Sequence, residues 1–99
     1  MAAIAVPLRT MQLADACWEA LLGMSAVGNP AAKSDMQVGA RALELGIWGA
    51  SKNVEINMAD ITDREYARRT LGEAQRMCAR AEDMCAKVLA AVEVPPARL

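Results

Sequence analysis

The side chains able to do chemistry in this sequence are few, and they fall on one stretch. Asp35, Asn53 and Asn57 are short polar residues separated by helical spacings, and Asn29, Lys33 and Ser34 sit just upstream of them or beside them. A carboxyl group whose pKa is raised by burial can take up and return protons. Asp35 is the best carboxylate for that task, because it begins a seam of small and polar residues rather than a solvent face. First-turn Asp is equally good helix chemistry, since the helix dipole stabilises it there without any active site. Asn53 and Asn57 are amides one turn apart beside apolar neighbours, able to pair with the donor and acceptor edge of a bound heterocycle. The competing assignment is an interhelical amide pair that satisfies itself. Asn29 suits a corner of the chain. Lys33 either meets an anionic ligand tail or stands solvated.

Other chemistries are poorly served. The chain has no histidine and only three cysteines, and Cys78 and Cys85 lie seven apart on one expected helix. About 10 Å of axial rise separates such sulfurs, so they cannot bridge, and a zinc site lacks ligands. Reduced, largely buried thiols and no metal are expected. Eleven Lys and Arg against twelve Asp and Glu give a net charge of −1, no field for a phosphate backbone, so nucleic acid is not expected as a partner. Arg64, Arg68, Arg69, Arg76 and Arg80 are interleaved with Asp63, Glu65, Glu73, Glu82 and Asp83 at helical spacing, which reads as an ion-paired face. No stretch reaches the roughly 18 apolar residues of a membrane span, and Arg9 interrupts the apolar start without a basic region before it. A soluble cytoplasmic protein is expected, with no membrane partner.

Ninety-nine residues form one domain at most, rich in Ala, Leu, Met and Val and without Phe, a composition that favours helices. Three long helices are predicted. The first runs from Pro7 to Val27, opened by Pro7 and stopped at the Gly28-Asn29-Pro30 corner. The second runs from Ser34 to Ala59, with Ser34 and Gln37 as a capping box and Met36, Ala40, Leu43, Ile47, Val54, Met58 and Ile61 as its core stripe. The third runs from Asp63 to Val92, capped by Thr62 with Glu65 and ended by Val94-Pro95-Pro96; residues 95–99 read as a frayed tail. Asp35, Gly39, Ala42, Gly46, Gly49, Asn53 and Asn57 form a second stripe on the middle helix. Glycine costs roughly 1 kcal/mol against alanine inside a helix, so this seam implies either a close helix crossing or room for a ligand. Tyr66, Trp18 and Trp48 read as packing residues. These helices carry more apolar and small surface than they can mutually cover. The architecture is all-α, part of a helical bundle completed by a partner chain or by a missing N-terminal half.

The motifs Val6-Pro7-Leu8, Gly28-Asn29 with Ser34-Asp35, Asn53-Val54-Glu55-Ile56-Asn57 and Asp60-Ile61-Thr62-Asp63 resemble, in order and spacing, the formiminotetrahydrofolate cyclodeaminase and methenyltetrahydrofolate cyclohydrolase family. The resemblance is strongest over residues 6–63 and makes residues 1–99 a partial cyclodeaminase-like helical domain. It implies closure of a ring on formimidoyl-tetrahydrofolate to give methenyltetrahydrofolate and ammonia, in the one-carbon metabolism of histidine degradation. A related branch instead hydrolyses methenyltetrahydrofolate. The substrate would be a tetrahydrofolate derivative, with no covalently bound cofactor and a homodimer or higher homo-oligomer as the assembly. On that reading Asp35 is the catalytic candidate, and Asn29, Lys33, Ser34, Asn53 and Asn57 contact substrate, the two amides at the pterin edge and Lys33 at the glutamate tail. Lys52 and Trp48 depart from the residues common at those positions. The family's upstream segment, expected to hold the catalytic acid or base, has no counterpart before Met1, so the match is to the C-terminal part of the domain. A non-catalytic assembly module of the same family is the alternative.

Overall fold

Ile4, Met11 and Trp18 stand seven residues apart and are completely buried, as are Ala40, Ile47 and Val54 further along the chain. Such a repeat keeps one face of each helix turned toward its neighbours at the shallow crossing angle of a coiled-coil-like bundle. The computed structural model describes residues 2–27 and 30–93. Its helices are α1 (Ala2–Asp15), α2 (Trp18–Val27), α3 (Lys33–Ile56) and α4 (Arg64–Glu93), with 3-10 turns at Pro30–Ala32 and Met58–Asp60. No strand occurs among the described residues. The expected all-α class with three long helical arms is therefore observed, with the first arm in two pieces. The Gly28-Asn29 corner and the tail at 95–99 lie outside the described residues.

The first arm differs from expectation in two ways. It begins before Pro7, because Ile4 continues the inward face upstream and is fully buried. Pro7 thus sits within α1, where it forgoes one backbone hydrogen bond. The arm is also interrupted at Ala16 and Cys17: Ala16 N donates to Gln12 O at 3.2 Å, Cys17 N to Ala14 O at 3.0 Å, and Leu21 N resumes the ladder on Cys17 O at 3.1 Å. One tightened turn separates the pieces, and Met11 and Trp18 still both reach the core.

Cross-bundle polar pairs set the direction of each arm. Gln12 Nε2 donates to Glu73 Oε1 at 2.8 Å, and Arg80 reaches Asp15 and Glu19, so the first arm and α4 run the same way. Lys33 Nζ pairs with Glu93 at 2.8 Å, so α3 runs against them. The result is a slim rod of 59 × 18 × 15 Å. Along α4 the buried residues Thr70, Ala74, Met77, Ala81, Met84 and Val88 alternate at spacings of four and three, one continuous inward face. The middle stripe is equally faithful, with Ala40, Ile47 and Val54 buried and Met36, Leu43, Met58 and Ile61 half-buried.

Leu13 and Met24, large apolar residues of the first arm, are 55% and 58% exposed. They belong to a second heptad pattern, Ala3, Val6, Thr10, Leu13, Cys17, Ala20, Met24 and Val27, every member of which is exposed. On α3, Val38, Ala42, Leu45, Gly46 and Ile56 are likewise exposed. Gln12, Asp15 and Glu19 face α4 from the first arm, and Lys33 and Gln37 face it from α3. Helical periodicity then puts the exposed seam of the first arm, with Ala42 and Gly46 of α3, on the face of the rod remote from α4, while Leu45 lines the side of α3 next to α4.

Candidate functional site

The seam along α3 is open. A Cβ built on Gly39, Gly46 or Gly49 would meet no atom within 4 Å. Tight helix crossing inside this chain is therefore not the reason for these glycines, and the first of the two explanations drawn from the sequence holds only if another molecule lies there. Asp35 is exposed in the first turn, with no cap bond made there by a side chain. Asn53 is exposed, and Asn57 is half-buried at the helix end. The Asn57 Nδ2 donates to the Asn53 backbone carbonyl at 2.8 Å. The amides are therefore not an interhelical pair: one closes the last turn of its own helix and keeps a free oxygen, while the other presents its whole side chain outward. Asp35 and Asn53 share a face but are separated by about 27 Å of helix, so one chain does not bring them to one reacting atom.

Ser34 does not cap α3. The 3-10 turn at Pro30–Ala32 runs directly into the helix, Ala32 takes the cap position without a side-chain bond, and Ser34 is already inside the first turn, exposed. Gln37, expected to complete the capping box, donates instead to Glu93 Oε1 at 3.3 Å. The Lys33 side chain is partly exposed, and its ammonium pairs with Glu93 at 2.8 Å. Asn29 lies outside the described residues. The third helix is capped one residue later than expected, by Asp63 Oδ1 accepting from Tyr66 N at 3.1 Å.

Two features escaped the sequence reading. A cleft of about 370 Å³ opens between α3 and α4, lined by Arg41, Glu44, Leu45, Trp48, Cys78 and Ala81 among others. Trp48 is 54% exposed there, not packed inside as Trp18 is, and the Lys52 ammonium lies 5.3 Å from its ring centre. Nearby, burial pushes the Cys85 thiol above its ordinary value of 9.0; the Glu44 carboxylate adds to the rise and Arg41 opposes it. The other feature is a groove of about 420 Å³ where Leu8 of α1 meets Tyr66, Arg69 and Arg76 of α4. Only the i to i+3 relation of Leu45 to Trp48 hinted at the first in the sequence; the second needs two arms to exist.

Among the described residues no three His, Cys, Asp or Glu side chains gather as a metal would require. No described helix is long and apolar enough to cross a membrane. Cys17, expected to be buried, is exposed, because it falls on the outward heptad seam.

Comparison with known proteins agrees with the motif order. Residues 1–76 match the family model described as formiminotransferase-cyclodeaminase. A formimidoyltransferase-cyclodeaminase of Dictyostelium discoideum is 45% identical over 87 residues, which is 88% of this chain and 16% of that protein. Those of Rattus norvegicus and Gallus gallus are 37% and 38% identical over 91 residues, 92% of this chain and 17% of theirs. The chain thus spans about one sixth of the length of these relatives. On the breadth of the model match and the identity to these relatives, the chain belongs to the formiminotransferase-cyclodeaminase family.

Proposed function

We propose that this chain forms part of a folate-dependent cyclodeaminase, acting in the cytoplasm on formimidoyl-tetrahydrofolate to give methenyltetrahydrofolate and ammonia. The observation that carries this reading is the family match over residues 1–76, which includes all of α3 and its polar seam. Asn53 and the free oxygen of Asn57 are offered to solvent from adjacent turns, and together they supply the donors and acceptors that a pterin edge needs. Ring closure requires the attacking folate nitrogen to lose a proton and the departing nitrogen to gain one. Asp35 stands too far along the helix to serve an atom held at Asn53, so a carboxyl group other than Asp35 of the same chain handles those protons. Hydrolysis of methenyltetrahydrofolate uses the same ligand class and is the alternative reaction.

The test measures folate binding and turnover for the chain alone and for a complete cyclodeaminase domain carrying the same residues. The chain alone is expected to show no family-like turnover, and the complete domain to bind and convert the substrate. In that domain Asn57→Leu leaves ligand polar groups unpaired and weakens binding by about 1 to 3 kcal/mol, whereas Asp35→Asn leaves turnover nearly unchanged. Full activity of the chain alone, or binding indifferent to Asn57→Leu, defeats this assignment.

A further inference from the structure

The interleaved charges of α4 read in the sequence as an ion-paired face, and part of that face is not paired. Arg68 pairs with Glu65, and Arg80 with Asp15 and Glu19. Glu73 stands four residues after Arg69 and three before Arg76, the spacings at which ion pairs form along a helix. Its Oε1 accepts instead from Gln12 Nε2 of α1 at 2.8 Å, and among the described residues neither Arg69 nor Arg76 pairs with a carboxylate. Both arginines line the groove of about 420 Å³ to which Leu8, Tyr66 and Gly72 also contribute. A Cβ built on Gly72 would stand 3.4 Å from Arg76 Nη1, so the Arg76 guanidinium lies back over the bare backbone of Gly72, toward the turn that carries Arg69. The Tyr66 hydroxyl likewise has no partner among the described residues. Two cationic forks therefore line one groove whose lining carboxylate, Glu73, is bonded to Gln12.

We propose that this groove binds the phosphate group of a small phosphorylated ligand, held by Arg69 and Arg76, with the organic part of the ligand against Leu8 and Tyr66. Two like charges at one groove repel when no counter-charge lies between them, and a bound anion turns that repulsion into attraction. A guanidinium recognises an oxyanion through parallel N–H donors. A carboxylate has two oxygens, enough for one fork, whereas a phosphate monoester offers three and carries about −1.5 to −2 charge at pH 7, so it serves both forks at once. Leu8 and the ring of Tyr66, both half-buried, set an apolar wall beside that charge, and a few convergent polar groups against an apolar wall are the make-up of a small-molecule site. This inference is independent of the folate reading, since it uses neither Asn53 nor Asn57.

The test is isothermal titration calorimetry of the 99-residue chain with inorganic phosphate and with phenyl phosphate, at one fixed ionic strength. One site per chain is expected, and phenyl phosphate binds the more tightly because its ring packs on Leu8 and Tyr66. Arg69→Gln and Arg76→Gln each raise the phenyl phosphate dissociation constant at least about tenfold. Gly72→Leu, which crowds the Arg76 guanidinium, raises it too. Arg64→Gln, exposed on α4 outside the groove, leaves it unchanged. Arg69 and Arg76 are exposed, so their substitution spares the core, and helical circular dichroism of each variant distinguishes lost binding from lost folding. Absence of saturable phosphate binding overturns the proposal, as does binding indifferent to both Arg69→Gln and Arg76→Gln. Succinate binding as tightly as phenyl phosphate overturns it as well and assigns the groove to a dicarboxylate.

Discussion

Arg80 of α4 holds Asp15, the last residue of α1, with its Nε 3.1 Å from Oδ1, and its Nη2 reaches Glu19 of α2 at the same distance. One guanidinium therefore clasps both sides of the Ala16–Cys17 interruption and fastens the broken arm to α4. The Glu19 contact is a hydrogen bond, whereas Asp15 Oδ1 is held by charge alone and accepts no hydrogen bond. Asp15 is the more sheltered partner, its side chain 27% exposed against 76% for Glu19.

Arg80→Met keeps the hydrocarbon reach and removes the clasp. Both charges remain partly solvated, so the expected loss in urea unfolding is about 0.5 to 1 kcal/mol rather than that of a buried pair. Glu19→Gln should cost less than Asp15→Asn. Equal costs for the two would show that the exposed arm of the clasp carries as much as the sheltered one.

The two expected capping boxes separate by experiment. Asp63→Ala removes an observed cap and should destabilise the chain by about 0.5 to 2 kcal/mol, while Ser34→Ala removes an exposed hydroxyl that caps nothing and should change stability by only a few tenths. Thermal unfolding of the pair decides it, and a larger loss at Ser34 would contradict the observed start of α3.

Thiol chemistry should follow burial. Cys17, exposed in the single chain, should react fastest with a maleimide, Cys78 more slowly, and Cys85 only on opening. Because the folded Cys85 thiol titrates above its unfolded value of 9.0, folding favours its protonated form. Its contribution to stability is complete below pH 9 and is lost as pH rises from there through the higher folded value. Cys85→Ala should flatten that alkaline decline in denaturant midpoint.

Much of the fold was legible in the chain because helix signals are local. The stripe Ala40, Ile47, Val54 and the run from Thr70 to Val88 repeat at helical spacing, and both lie inside as that spacing demands. The first arm was read less well, since a long apolar run such as Trp18 to Val27 is amphipathic only weakly, and Leu13 or Met24 could serve either face. The Ser34 capping box failed for a related reason: the four residues fit the motif, but the 3-10 turn at Pro30–Ala32 starts the helix before the motif can act.

The sequence by itself determined the helical class, the inward stripes of α3 and α4, the family and the chemical repertoire, because each depends on residue identity and on spacing within a few turns. Only the tertiary structure decided what faces what. The separation of Asp35 from Asn53, the turning of Asn57 onto its own backbone, the exposure of Trp48 and the setting of the first arm's exposed seam beside Ala42 and Gly46 arise from how three arms are set against one another, and no local periodicity encodes that rotation and register.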